Sequence, residues 1–212
     1  MNHLQRTQQN LLFIAILLLS CFTKQLEAEN QPIIVFLGDS LTAGYGLSLD
    51  EAYPALIQEK IKKLGLNYSV RNSGVSGDTT AAGLRRLNWA LKEEPAAIVI
   101  ALGANDGLRG LDLKETQKNL ERIVEEISLK YPAAKIVLAG MELPINMGEE
   151  YRQQFRELFP RVARAKDVHL LPFLLENVAG KREFNQSDGI HPTREGQALI
   201  AENVWKILKP LL

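Results

Sequence analysis

Short apolar runs alternate with amphipathic stretches along most of this chain, and the alternation predicts strand and helix in turn. Residues 32–37, 68–71, 96–102, 134–139 and 168–170 read as strands. Four of the five are continuously apolar or nearly so, the pattern of strands covered on both faces. Between them, 52–64, 79–92, 113–130, 149–166 and 193–208 read as helices. The third is the clearest, since Leu113, Leu120, Ile123, Val124 and Ile127 recur at helical spacing with charged residues elsewhere. Strand alternating with helix implies right-handed crossovers and a parallel sheet with helices on both faces. The expectation is a three-layer, doubly wound α/β domain.

One stretch breaks the alternation. Residues 1–28 open with Arg6 in a polar segment and continue into the apolar run from Leu11 to Leu19. That run is short for a bilayer span and apolar on all sides, which suits the central region of a secretory signal better than a buried helix. Two processing sites compete. Leu26-Glu27-Ala28 offers a small residue to an ordinary signal peptidase, which would leave a domain of residues 29–212. Leu18-Leu19-Ser20-Cys21 resembles a bacterial lipobox, imperfectly because of Leu19. Cys21 is the single cysteine, so it is either discarded or a point of lipid attachment, and no disulfide forms within the chain. A periplasmic or secreted location is expected on either route, with membrane attachment only if Cys21 is lipidated.

At 212 residues and 46% hydrophobic, the chain supports one substantial core and one domain. Lys+Arg and Asp+Glu both number 25, so no global charge bias draws it to nucleic acid or to an anionic membrane surface. Recognition must be local. A monomer acting on a small molecule is expected. The loop 140–148, Gly-Met-Glu-Leu-Pro-Ile-Asn-Met-Gly, follows a predicted strand and carries four apolar side chains. Its Leu143, Pro144 and Ile145 are candidates for the wall of a ligand pocket, and packing beneath a connection explains them equally well.

In such a sheet, sites form where strands end at their carboxyl edge. The first strand runs into Gly38-Asp39-Ser40-Leu41-Thr42-Ala43-Gly44-Tyr45-Gly46, a serine at a glycine-punctuated strand-to-helix turn. Alone, such a serine is usually a cap or turn residue. Near the C-terminus stands Ser187-Asp188-Gly189-Ile190-His191-Pro192-Thr193. A serine hydroxyl needs a base to take its proton, and a neutral imidazole serves at ordinary pH. His191 fits that role, and Asp188 can hold its tautomer if the loop folds back. His3 falls in the leader, and His169 lies in a predicted strand, where a structural histidine is the better reading. Acyl transfer also needs donors for an oxyanion. The loop after the second strand, Asn72-Ser73-Gly74-Val75-Ser76-Gly77-Asp78-Thr79, offers the Gly77 N–H. The loop after the third, Gly103-Ala104-Asn105-Asp106-Gly107, offers the Asn105 carboxamide. No His/Cys cluster stands at metal-ligand spacing, and no metal or other cofactor is expected.

These four blocks, carrying Ser40, Gly77, Asn105 and His191 in order, resemble the GDSL or SGNH hydrolases across nearly all of the chain after residue 28. Gly-Asp-Ser-Leu-Thr-Ala-Gly-Tyr-Gly, Ser-Gly-Asp-Thr, Gly-Ala-Asn-Asp-Gly-Leu-Arg-Gly and Asp-Gly-Ile-His-Pro look like the bacterial periplasmic subgroup of acyl-CoA thioesterases, arylesterases and lysophospholipases. The resemblance implies a flavodoxin-like sheet of five parallel strands ordered 2-1-3-4-5 and a Ser40–His191–Asp188 triad. It further implies an oxyanion hole of the Ser40 and Gly77 N–H groups with the Asn105 side chain, and acyl or aryl esters and thioesters as substrates. In the subgroup the loop matching 141–148 is a mobile wall over the acyl chain. Here Met141-Glu142-Leu143-Pro144 stands where relatives often carry an arginine, so acyl-chain preference does not transfer. A carbohydrate deacetylase of the same family and a non-catalytic binding lipoprotein are the alternatives.

Overall fold

A computed structural model of the protein describes residues 31–212, so the proposed leader, Cys21 and the Ala28 cleavage site lie outside the described residues. The strands are β1 (Ile33–Gly38), β2 (Ser69–Gly74), β3 (Pro95–Ala101), β4 (Lys135–Ala139) and β5 (His169–Leu171). They form one parallel sheet in the order β2-β1-β3-β4-β5. β1 and β3 are buried almost throughout, which is why their sequences are nearly all apolar. β2 has more polar positions because it forms an edge of the sheet. Gln58 covers part of that edge, accepting from the Val70 N–H and donating to the Tyr68 carbonyl. At the opposite edge of the sheet His169 is exposed.

The helices are α1 (Ser40–Ala43), α2 (Tyr53–Lys63), α3 (Thr80–Arg85), α4 (Leu87–Ala90), α5 (Ala104–Leu108), α6 (Leu113–Lys130), α7 (Glu149–Ala165) and α8 (Arg194–Leu208). α2 packs with α8, whereas α3 packs with α6 and α6 with α7. The strand order reverses direction between β1 and β3, and right-handed crossovers then place these two groups on opposite faces. α6 begins where Asp112 accepts the Lys114 N–H and buries Leu120, Ile123, Val124 and Ile127, as its periodicity predicts.

Two expectations need correction. The helix expected over 79–92 is two helices broken at Arg86, whose backbone (φ −99°, ψ 7°) leaves the helical path. The second strand runs to Gly74 rather than Arg71, because pairing with β1 carries polar residues into the ladder. No helix among the described residues is long and apolar enough to cross a membrane.

Register sets the geometry of the site. Gly38 pairs with Gly74 on one side and Ala101 on the other, so β1, β2 and β3 end level with one another. The loops that follow therefore open at a common edge.

Candidate active site

β1 delivers Ser40 to that edge. A Cβ at Gly38 would lie 2.0 Å from the Thr42 hydroxyl, so only glycine lets the chain double back closely enough to start α1 at once. Asp39 caps the turn by accepting the Leu41 N–H at 3.0 Å. Thr42 in turn hydrogen-bonds the buried Tyr53 hydroxyl at 2.8 Å, anchoring α1 to α2.

The base arrives from the other end of the chain. After β5, residues 172–193 fold back through the short turn Arg182–Phe184 and an Asn185–Pro192 bridge. Within that loop the Asp188 carboxylate accepts the N–H groups of Ile190 (2.9 Å) and His191 (3.0 Å) and contacts His191 Nδ1 at 2.7 Å. His191 Nε2 lies 3.0 Å from Ser40 Oγ. The His191 N–H, the imidazole and the Ile190 N–H together hold the Asp188 carboxyl down at about 2. An ionised Asp188 therefore fixes the proton on Nδ1 and leaves Nε2 free to accept from Ser40.

Two residues with no role assigned from sequence secure this meeting of loops. The Tyr45 ring lies against the His191 imidazole, centroids 4.4 Å apart. Gln186 Nε2 donates to the carbonyls of Tyr45 (2.7 Å) and Pro192 (3.0 Å), linking the nucleophile loop to the base loop. Tyr45 sits in the motif already singled out, but its partner is distant in sequence and the contact left no local signature.

Possible donors for an oxyanion converge from the neighbouring loops. Ser40 N–H opens α1, and Gly77 sits at φ +84°, a region that favours glycine. Neither N–H has a hydrogen-bond acceptor among the described residues. The Asn105 carboxamide donates to the Asp78 carbonyl at 3.0 Å and faces an Asp39 oxygen at 3.4 Å, so its second hydrogen is only weakly engaged. α5, which carries Asn105, is held by buried Asp106, whose carboxylate accepts the Thr80 N–H (2.8 Å) and hydroxyl (2.5 Å).

The wall residues divide. Leu143 is buried, with its methyl groups against the space beside Gly107, while Pro144 and Ile145 are exposed. For Leu143 the packing explanation prevails over an open pocket wall. A separate surface cavity of about 470 Å³ lies on the outer side of β2, lined by Ala43, Leu49, Pro54, Gln58, Val70 and Asn72 among others.

Asp39 was quoted in the motif without a role, and the structure buries it. Burial pushes its carboxyl up to about 7, against the Leu41 hydrogen bond and the nearby His191. In the unfolded chain the group titrates near 3.8. Between those values the unfolded state releases a proton that the folded state keeps, so this group's contribution to stability falls as pH rises and levels off above 7. Asp39→Asn is therefore expected to gain stability relative to the parent between pH 4 and 7, by about 4 kcal/mol at most. Thermal unfolding of both proteins across that range is the measurement, and a pH-independent difference in Tm would contradict the assignment.

Comparison with known proteins shows the family and the fold. Residues 36–199 match the model of the GDSL-like Lipase/Acylhydrolase family. The thioesterase 1/protease 1/lysophospholipase L1 of Escherichia coli K12 is 41% identical over 180 residues, 84% of each chain. An arylesterase of Vibrio mimicus is 36% identical over 192 residues, 90% of this chain and 94% of that one. The crystal structure of TesA superposes with a TM-score of 0.81 at 42% identity, covering 86% of this chain and 100% of that one.

Proposed function

This chain belongs to the GDSL-like lipase/acylhydrolase family and is an ester hydrolase, and we propose that Ser40, His191 and Asp188 carry the reaction through an acyl-Ser40 intermediate. The observation that carries this reading is the continuous line Asp188–His191–Ser40, with contacts of 2.7 and 3.0 Å. Ser40 Oγ attacks the ester or thioester carbonyl while its proton passes to His191 Nε2. The charge that develops on the carbonyl oxygen meets the N–H groups of Ser40 and Gly77 and the Asn105 amide, which exchanges its long contact to Asp39 for the oxyanion. The tetrahedral species collapses as the imidazolium protonates the leaving alcohol or thiol. Water then repeats the sequence on the acyl-serine, and His191 returns the proton to Ser40.

Small acyl and aryl esters and thioesters are the substrates this reading supports. The relatives named above divide among thioester, lysophospholipid and aryl ester cleavage, and exposed Tyr45, Val75 and Ile190 offer apolar surface on the loops around Ser40. The purified protein is expected to release p-nitrophenol from short-chain p-nitrophenyl esters, and equal release by a Ser40→Ala protein would sink the assignment.

The leader is part of the same proposal: residues 1–28 direct export to the periplasm or beyond, with cleavage after Ala28 to give a monomer beginning at Glu29, and lipidation at Cys21 as the alternative. Mass spectrometry of the exported protein is expected to find a free Glu29 terminus. A diacylglyceryl-modified Cys21 would overturn that part.

A further inference from the structure

We propose that Arg86 is a positioning residue that fixes the spacing of the three oxyanion donors, an inference that rests on the assignment of Ser40, Gly77 and Asn105 given above. Arg86 stands where the chain breaks between α3 and α4, and its side chain turns back beneath the site rather than continuing along a helix face. Its Nε donates to the Asp78 carboxylate and its Nη2 donates to the Gly38 carbonyl at 3.0 Å. Both side chains of the ion pair are largely buried, at 17% and 11% exposure. Gly38 leads through Asp39 into the nucleophile, and Asp78 directly follows Gly77. The Asp78 carbonyl is also the acceptor that holds the Asn105 amide. One planar guanidinium thus ties the segment bearing Ser40 to the loop bearing Gly77, and Asn105 hangs from that loop.

The same guanidinium leaves Nη1 buried with no partner, the one such side-chain nitrogen or oxygen among the described residues. Leaving a buried donor unpaired is unfavourable. The orientation of Arg86 therefore satisfies Asp78 and Gly38 rather than its own hydrogen-bonding capacity. A lysine could not reproduce it, because a single ammonium lacks the rigid fork that spans a carboxylate and a carbonyl on different loops. Arg109 holds the Gly77 carbonyl from the solvent side at 2.9 Å, so the Gly77 turn is gripped from both sides, but only Arg86 reaches the end of β1. Oxyanion stabilisation depends on donors placed before the reaction, and a displacement of about 1 Å can cost on the order of a hundredfold in rate.

The test uses single-turnover acylation by p-nitrophenyl butyrate under enzyme excess, with competent sites counted separately by stoichiometric titration with a serine-reactive phosphonate, so that partial unfolding does not enter the rate constant. Arg86→Met is expected to lower the acylation rate constant per site by roughly ten- to a hundredfold with little change in apparent substrate affinity, and Arg86→Lys by about tenfold. Asn105→Ala alone is expected to lower it on the order of a hundredfold. Because Arg86 acts through the donors and Asn105→Ala already removes one of the three, adding Arg86→Met or Arg86→Lys in that background should cost less than it does in the parent. A residue that only stabilises the fold would lower the number of titratable sites and leave the rate per site alone. A parental rate constant in Arg86→Lys or Arg86→Met, or a full undiminished effect in the Asn105→Ala background, overturns the proposal. If that happens while Ser40→Ala remains inactive, the assignment of the nucleophile stands and only the role of Arg86 falls.

Discussion

Replacing Ser40 with alanine is expected to abolish ester hydrolysis, with turnover falling on the order of 10⁴-fold or more. The size of the loss follows from the geometry. No other hydroxyl contacts His191 Nε2 among the described residues, so the proton acceptor would have no nucleophile to activate. Residual activity would reflect water attacking a carbonyl still bound by the remaining donors. The substitution removes one oxygen from a partly exposed position and leaves the Asp39 cap on α1 intact. Melting temperature is therefore expected to move little. Kinetics with p-nitrophenyl acetate or butyrate, together with thermal unfolding, make the comparison. Loss of activity accompanied by a collapsed melting transition would implicate the fold instead of the nucleophile.

His191→Ala is expected to cost on the order of 10³-fold or more, because both halves of the reaction pass a proton through Nε2. Asp188 keeps its hydrogen bonds from the Ile190 and main-chain residue 191 N–H groups in that variant, so the loop retains its local shape. Asp188 cannot take over as base, because it meets the imidazole on the side away from Ser40. The depressed Asp188 carboxyl fixes the sign of one pH dependence: toward about pH 2 its protonation removes the acceptor on His191 Nδ1, so hydrolysis falls. An activity in His191→Ala within tenfold of the parent at neutral pH would place the base elsewhere.

The parts legible in the sequence were those governed by local pattern. β1 and β3 announced themselves because burial on both faces leaves little room for polar side chains, and α6 because its apolar positions return at the helical period. The order of strands came from family resemblance, whereas the pairing of Ser40 with His191 came from the base a serine nucleophile needs, since no periodicity relates residues so far apart. What stayed hidden depended on side chains reaching across the fold. Arg86 breaks an otherwise helical stretch, and its acceptors at Asp78 and Gly38 cannot be inferred from the stretch itself. Asp39 stood in the motif without a role, and its burial and its contact with Asn105 appear only in the folded chain. Composition left Leu143 equally a pocket wall or a packing residue, and the structure buries it against Gly107.

The acyl-enzyme itself is the most direct test of the account. Mixing the purified protein with a p-nitrophenyl ester, quenching with acid within the first turnover and mapping peptides by mass spectrometry should locate an acyl group on Ser40, with none in the Ser40→Ala protein. An acyl group on another residue, or turnover in which no acylated protein forms under single-turnover conditions, would contradict it.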